Sequence, residues 1–166
     1  MDAPRWLDER EDRAWRGYRR MRRLLDLELA RELMQDAGLS EPDYDVLSDL
    51  SETPDQRLRL SELADRMLWS RSRLSHHLAR MQQRGLVTRE ECPSDGRGSI
   101  VVLTPAGRRA IEAAAPGHVA AVRRHLIDLL TPEEMDALAA LSHRVVDHLA
   151  GPDRGRAAPT AADPAA

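Results

Sequence analysis

Residues Leu60–Gly107 read LSELADRMLWSRSRLSHHLARMQQRGLVTREECPSDGRGSIVVLTPAG, and this stretch decides the fold. Leu63, Ala64, Met67 and Leu68 make the inner stripe of a short helix, and Trp69-Ser70 turns the chain into a second one. In that second helix Leu74, Leu78 and Met81 recur at i, i+4 and i+7, the spacing of one buried helical face. Ser70 is the expected N-cap, because its hydroxyl can accept from an orphaned N–H of the first turn. Arg84-Gly85 closes the helix, since glycine takes the positive φ of a C-cap without a Cβ clash. Leu86-Val87-Thr88-Arg89 and Ile100-Val101-Val102-Leu103 have strand composition, and Pro93 to Gly98 between them has that of a turn. Helix, turn, helix and hairpin together predict a winged helix-turn-helix.

The second helix carries the chemistry. At about 100° per residue, Ser72 and His76 point away from the apolar stripe, with Arg73 and Arg80 to one side. Ser70, Arg71 and Ser75 extend this surface, and no acid falls between Ser70 and Arg84. A solvated helix usually mixes both charge signs, so a basic and hydroxylic face points to a phosphate or base-edge partner. Plainer readings compete. Ser70 is a cap first, Arg71 and Arg80 suit intramolecular ion pairs as well as phosphate clamps, and Arg73 and His76 can meet phosphate without reading a base.

Charge distribution agrees with that reading better than composition does. All 25 basic residues are arginine, a bias that fits a GC-rich genome and by itself says little about nucleic acid. Residues 57–109, however, hold eleven arginines against five acids, a balance of +6. The flanks are acidic, at −6 for residues 1–56 and −3 for residues 110–166. A basic centre between acidic ends is the footprint of one module that meets a polyanion.

Outside the central stretch the pattern is helical. Leu7 to Ala37 places Trp15, Tyr18, Leu25, Leu29 and Leu33 near one face, and Gly38 ends it. A helix of that length, roughly 45 Å, is longer than a compact three-helix lobe can cover. Ser40-Glu41-Pro42-Asp43 opens a second helix, with Tyr44, Val46, Leu47 and Leu50 as its apolar residues, and Thr53-Pro54-Asp55 breaks it. Arg57-Leu58-Arg59-Leu60 reads as a short strand. Thr104-Pro105 starts another helix, expected to kink or restart at Pro116-Gly117. Thr131-Pro132-Glu133-Glu134 is a capping box that opens a last helix, with Leu138, Leu141, Val145 and Leu149 as its stripe. From Gly151 the tail is rich in Pro and Ala and is expected to be disordered. No apolar run approaches the roughly 18 residues of a membrane span, the first residues do not resemble a signal peptide, and the single cysteine, Cys92, forms no internal disulfide. These features point to the cytoplasm.

This order of elements resembles the MarR (multiple antibiotic resistance regulator) family of bacterial transcription factors over roughly residues 10–150. The segments that carry the resemblance are Leu60-Ser61-Glu62-Leu63-Ala64, Ser70-Arg71-Ser72, Arg84-Gly85-Leu86-Val87, Asp95-Gly96-Arg97-Gly98 and Leu103-Thr104-Pro105-Ala106-Gly107. The resemblance implies a mainly α fold with a small β-wing, whose winged helix-turn-helix is flanked by N- and C-terminal dimerisation helices. It divides the chain into a dimerisation helix (1–37), a DNA-binding lobe (38–109), C-terminal dimerisation helices (110–150) and the tail (151–166). It further implies a homodimer on a double-stranded, pseudo-palindromic DNA operator, with recognition helices in successive major grooves. The family's acid-x-Arg wing motif falls on Asp95 and Arg97, the acid bracing an arginine that enters the minor groove. A solvated turn arginine is the plainer reading of Arg97.

The chain departs from the family pattern in two places. His76 and His77 stand where many relatives carry Arg and an apolar residue, and Pro116-Gly117 interrupts a helix that is often longer. No extra N-terminal helix is apparent, unlike in the urate-responsive subgroup. Relatives often bind aromatic acids between the dimer helices and the DNA-binding lobe, which would assign Trp15, Tyr18, Arg22 and Tyr44 to a small aromatic effector. Core or interface packing is the competing reading for the aromatic three. Cys92 at the wing base reads as an inert thiol, and His118, His125, His143 and His148 lack the carboxylate or cysteine spacing of a metal site. No cofactor is expected.

The function expected is a sequence-specific transcriptional regulator, in the repressor sense, that responds to a small-molecule or stress signal. The alternatives are a non-specific architectural DNA binder and a winged-helix module for protein interaction. The sequence holds no paired-carboxylate motif, phosphate-cradling glycine loop or nucleophile–base arrangement, so an enzyme is not expected.

Overall fold

The computed structural model describes residues 4–92 and 98–154. Among these residues six α-helices and three strands follow in the order α1 (Glu9–Ala37), α2 (Glu41–Ser51), β1 (Arg57–Arg59), α3 (Leu60–Arg66), α4 (Arg71–Gln83), β2 (Val87–Glu91), β3 (Ser99–Leu103), α5 (Pro105–His125) and α6 (Pro132–Arg154). A short 3₁₀ turn (Ile127–Leu129) precedes α6. Two compact units result, one up to Leu126 and the other from Ile127 onward. No helix of the described residues is long and apolar enough to cross a membrane.

The caps show why the helices start where they do. Asp8 and Glu11 form a capping box at α1, and Ser40 and Asp43 form another at α2. Ser70 accepts from the Arg73 N–H at α4, and Thr104 accepts from the Gly107 N–H at α5. Thr131 and Glu134 exchange the reciprocal pair of bonds at α6. Gly38 and Gly85 take φ of 63° and 73°, the left-handed geometry expected at the ends of α1 and α4.

The core of the first unit lies where α2, α3 and α4 meet the sheet and α5. Val46, Leu47, Leu50, Leu63, Leu74, Leu78, Met81 and Val101 are wholly buried there. The strands form an antiparallel sheet in the order β1-β3-β2, with Leu58 opposite Val101 and Val87 opposite Leu103. β1 thus becomes the third strand of the wing. At the far end of the hairpin the Cys92 N–H donates to the Gly98 carbonyl.

Three expectations are corrected. Leu68 does not join the inner stripe of α3: that helix ends at Arg66, and Leu68 takes φ 54° and is 85 % exposed. The left-handed turn swings its side chain out of the core and leaves Leu63 and Ala64 buried. Pro116 does not restart its helix, since α5 runs unbroken from Pro105 to His125. Pro116 and Glu112, whose carbonyl loses its helical donor, both lie on the exposed side. Ala114 and Ala121, two turns apart on the opposite side, are buried and hold the segment in place. Finally, α6 continues past Gly151 to Arg154 with a break at Gly151 (φ 63°, ψ 174°). The rest of the expected tail lies outside the described residues.

The junction between α4, the wing and α5 is tightly fitted. The Thr104 hydroxyl donates to the Gly85 carbonyl (2.7 Å), and the Thr104 N–H to the Leu86 carbonyl (3.2 Å). A Cβ on Gly107 would stand 2.1 Å from that Leu86 oxygen, so only glycine lets α5 dock here. This is the physical content of the Leu103–Gly107 motif.

Candidate nucleic-acid interface

α4 presents the surface that the sequence leads one to expect. Leu74, Leu78 and Met81 point into the core, while Arg71, Ser72, Arg73, His76 and Arg80 are exposed and Ser75 is half-buried. Apart from its core stripe, this helix exposes no acid, and it starts with an N-terminus whose partial positive charge favours phosphate. The seven candidate contacts of the helix therefore occupy one connected element. The other two, Asp95 and Arg97, lie outside the described residues.

Neighbouring elements hold several of these side chains. Arg89 on β2 donates to the Ser75 hydroxyl (3.2 Å) and to its carbonyl, tying the wing to α4. The Arg73 guanidinium sits 3.7 Å above the centre of the Trp69 ring. This is a cation–π stack in which the flat guanidinium matches the indole face. Arg80 donates to His77 Nδ1 at 2.9 Å and forms no ion pair among the described residues. His76 is exposed, whereas His77, next to it, is buried.

Behind the helix lies a polar cluster that the sequence reading missed. Asp43, 3 % exposed, accepts from Arg84 Nη1 (2.7 Å) and caps α2 through the Ser40 N–H (3.0 Å). Arg84 Nη2 also donates to the Gly38 carbonyl (2.8 Å), so one guanidinium joins the end of α4 to the α1–α2 corner. His77 Nε2 lies 3.2 Å from Asp43 Oδ1 but off the line of a hydrogen bond. Burial works to raise the Asp43 carboxyl, yet the hydrogen bonds from Arg84 and Ser40 hold it below the usual carboxylate range. Burial lowers the His77 pKa, the nearby Asp43 opposes this, and Arg80 and Arg84 add to it, so the ring stays neutral near pH 7. A capping-box reading of Ser40 and Asp43 could have flagged Asp43, but nothing local links it to residues 77 and 84.

The residues proposed for an effector are not drawn together. Trp15 and Tyr18 stack at 5.9 Å on the exposed part of α1, with Arg19 over Trp15. Tyr44 instead packs against His118 of α5, with ring centres 4.3 Å apart. Between α1 and α5 lies a small cavity, roughly 40 Å³ of space for water, bordered by Glu32, Asp36, Ala114, Gly117 and His118. None of the four expected effector residues lines it. Glu32 pairs with Arg124 and with His125 (2.8 Å), which fastens α1 to α5.

With this geometry in view, the comparisons with known proteins agree. Residues 37–98 match the family model described as MarR family. The transcriptional regulator HosA of Escherichia coli O111:H- is 32 % identical over 102 residues, 61 % of this chain and 73 % of that protein. AbsC of Streptomyces coelicolor, a MarR family transcriptional regulator, is 44 % identical, with a TM-score of 0.84 over 88 % of this chain and 98 % of its own. Sco3205, from the same organism and solved in complex with DNA, is 43 % identical, with a TM-score of 0.87 over 92 % of this chain and 95 % of its own. The winged lobe, its order of elements and these likenesses together establish that the chain belongs to the MarR family of transcriptional regulators.

Proposed function

We propose that this chain is a cytoplasmic, homodimeric repressor that binds double-stranded DNA through α4 and the wing. The observation that carries the proposal is the outward face of α4, exposed, basic and acid-free, at the end of a helix-turn-helix. The likeness to Sco3205, whose structure includes DNA, supports it. On this reading Arg71, with the N-terminus of α4, grips phosphate, and Ser72, Arg73, His76 and Arg80 face the major groove. Ser75, fixed by Arg89, keeps the wing in register with the helix. Asp95 and Arg97 would extend the contact into the flanking minor groove.

The dimer rests on apolar exposure. Leu33 is the only buried residue of the 29-residue α1. Trp15, Tyr18, Met21, Leu24 and Leu27 are about half exposed along α1, and Leu141, Val145, Val146 and Leu149 are exposed along α6. A monomer rarely leaves that much apolar surface in water, so a second copy is the natural cover. Dimerisation through residues 1–37 and 110–150 then sets the spacing of two recognition helices on a two-fold operator. An effector that altered this spacing would cost one half-site its contacts, which is how a small-molecule signal would relieve repression.

Gel-shift titration against the DNA upstream of its own gene, with and without excess random competitor, tests this reading. Preferential binding by a dimer, weakened in Arg97→Ala while the dimer persists in light scattering, supports it. Equal affinity for random DNA would favour the architectural reading, and a monomer without salt-dependent DNA binding the protein-interaction reading.

A further inference from the structure

Two arginines of α4 have supports that lie behind the helix. Trp69, half-buried in the turn between α3 and α4, offers its face to Arg73 and meets the His77 ring in a T-shaped contact, with centres 5.6 Å apart and planes 83° apart. His77 is 6 % exposed and takes the Arg80 Nη2 hydrogen bond on Nδ1. Arg80 Nη1 reaches back to the His76 carbonyl at 3.4 Å. A histidine that accepts on Nδ1 carries its single proton on Nε2, the atom beside Asp43. Asp43 is in turn held by Arg84 and Ser40. The chain of contacts thus runs from the α1–α2 corner through Asp43 and His77 to Arg80, with Trp69 bracing both His77 and Arg73.

We propose that Trp69 and His77 are positioning residues that fix Arg73 and Arg80 in one orientation before DNA arrives. The inference rests on the reading of α4 as the DNA-facing helix. An arginine free in solution loses rotamer freedom when it docks, a cost of roughly 2- to 10-fold in affinity per side chain. A guanidinium already stacked on indole, or already bonded to an imidazole, has met most of that cost on folding. Arginine has five N–H groups and these contacts use few, which leaves others for DNA. Lysine, a point charge without a flat face, would not replace Arg73 on Trp69.

The arrangement carries a signature that simple packing would lack. The charged groups that face His77 are Asp43 from α2, Arg80 from α4 and Arg84 just past the end of α4. A second proton on the ring must go to Nδ1, the atom that receives Arg80. Acidification therefore breaks the contact and frees Arg80, so His77 makes DNA affinity fall at low pH. His76, exposed on the outward face, is the other histidine of α4. Comparison with His77→Asn separates the two, because Asn offers a similarly placed oxygen acceptor that does not titrate.

The test uses the full chain and a duplex that it selects from a random-sequence pool, with fluorescence anisotropy at fixed salt from pH 5.5 to 8 and a thermal melt of each variant. His77→Leu and Trp69→Leu should each weaken binding roughly 2- to 10-fold. Arg80→Ala should cost less in the His77→Leu background than alone. His77→Asn and Trp69→Phe should restore binding, and His77→Asn should abolish the acid-side loss that wild type retains. If Arg80→Ala and Arg73→Ala weaken binding while His77→Leu and Trp69→Leu do not, or if the Arg80 and His77 effects simply add, the positioning role is overturned. Should His77→Leu fail to fold, a His77→Asn pH profile identical to wild type overturns it equally. If no duplex is selected, or neither arginine matters, the DNA reading of α4 itself fails, and the inference falls with it.

Discussion

The two faces of α4 are built to answer different questions. The inward face is fixed by the fold: Leu74, Leu78 and Met81 are wholly buried, and His77 sits beside Asp43 in a polar cluster behind them. The outward face, with Arg71, Ser72 and His76, touches little of its own chain. His76 and His77 are adjacent in sequence and chemically identical, yet one is exposed to water and the other is buried and held neutral. The difference teaches that on this helix the residue type says less than the direction in which it points. Changes on the inner face should cost stability, and changes on the outer face should cost only binding.

The largest effect should come from Leu78→Ala, which opens a cavity at a site with no exposure and should lower unfolding free energy by about 2–5 kcal/mol in urea titration. Asp43→Ala should follow, at about 2–4 kcal/mol, because it removes half of the α2 capping box and strands buried His77 beside Arg84. That contribution has a definite pH sign. The folded-state pKa of Asp43 lies below its ordinary value, so its stabilisation is complete above the unfolded value and is lost as pH falls through the folded one. Acid melts of wild type and Asp43→Ala should therefore converge at low pH. On the outer face, Arg71→Ala should leave stability within about 0.5 kcal/mol and reduce the slope of log affinity against log salt by about 1. Ser72→Ala should be smallest, silent in melts and visible only in operator affinity.

The inner stripe of α4, its caps and the strands of the wing were legible because each rests on local periodicity or on the φ a residue can adopt. The Asp43–His77–Arg84 cluster was not, because its members lie up to 41 positions apart and meet only after the chain has folded. The sequence marked His77 as a departure from the family but gave no sign that it faced inward toward a carboxylate. Leu68 was misplaced for a related reason: hydrophobicity argued for the core, while a left-handed turn that few leucines adopt put it outside. Pro116 was read by its intrinsic preference alone, and burial on the opposite side of α5 outweighed it. Of the expected site, the helix contacts share one surface, whereas the aromatic residues suggested for an effector are split between the open part of α1 and the α2–α5 contact.

The most direct measurement is an anisotropy titration of wild type and the triple variant Arg71→Ala, Ser72→Ala, His76→Ala on a duplex selected by the wild-type chain, paired with their thermal melts. The account predicts matching melts and at least about a 10-fold loss of affinity in the variant, of the size expected when base and phosphate contacts are removed together. Equal affinity with matching melts would contradict it, since the outward face of α4 would then not be where this protein meets DNA.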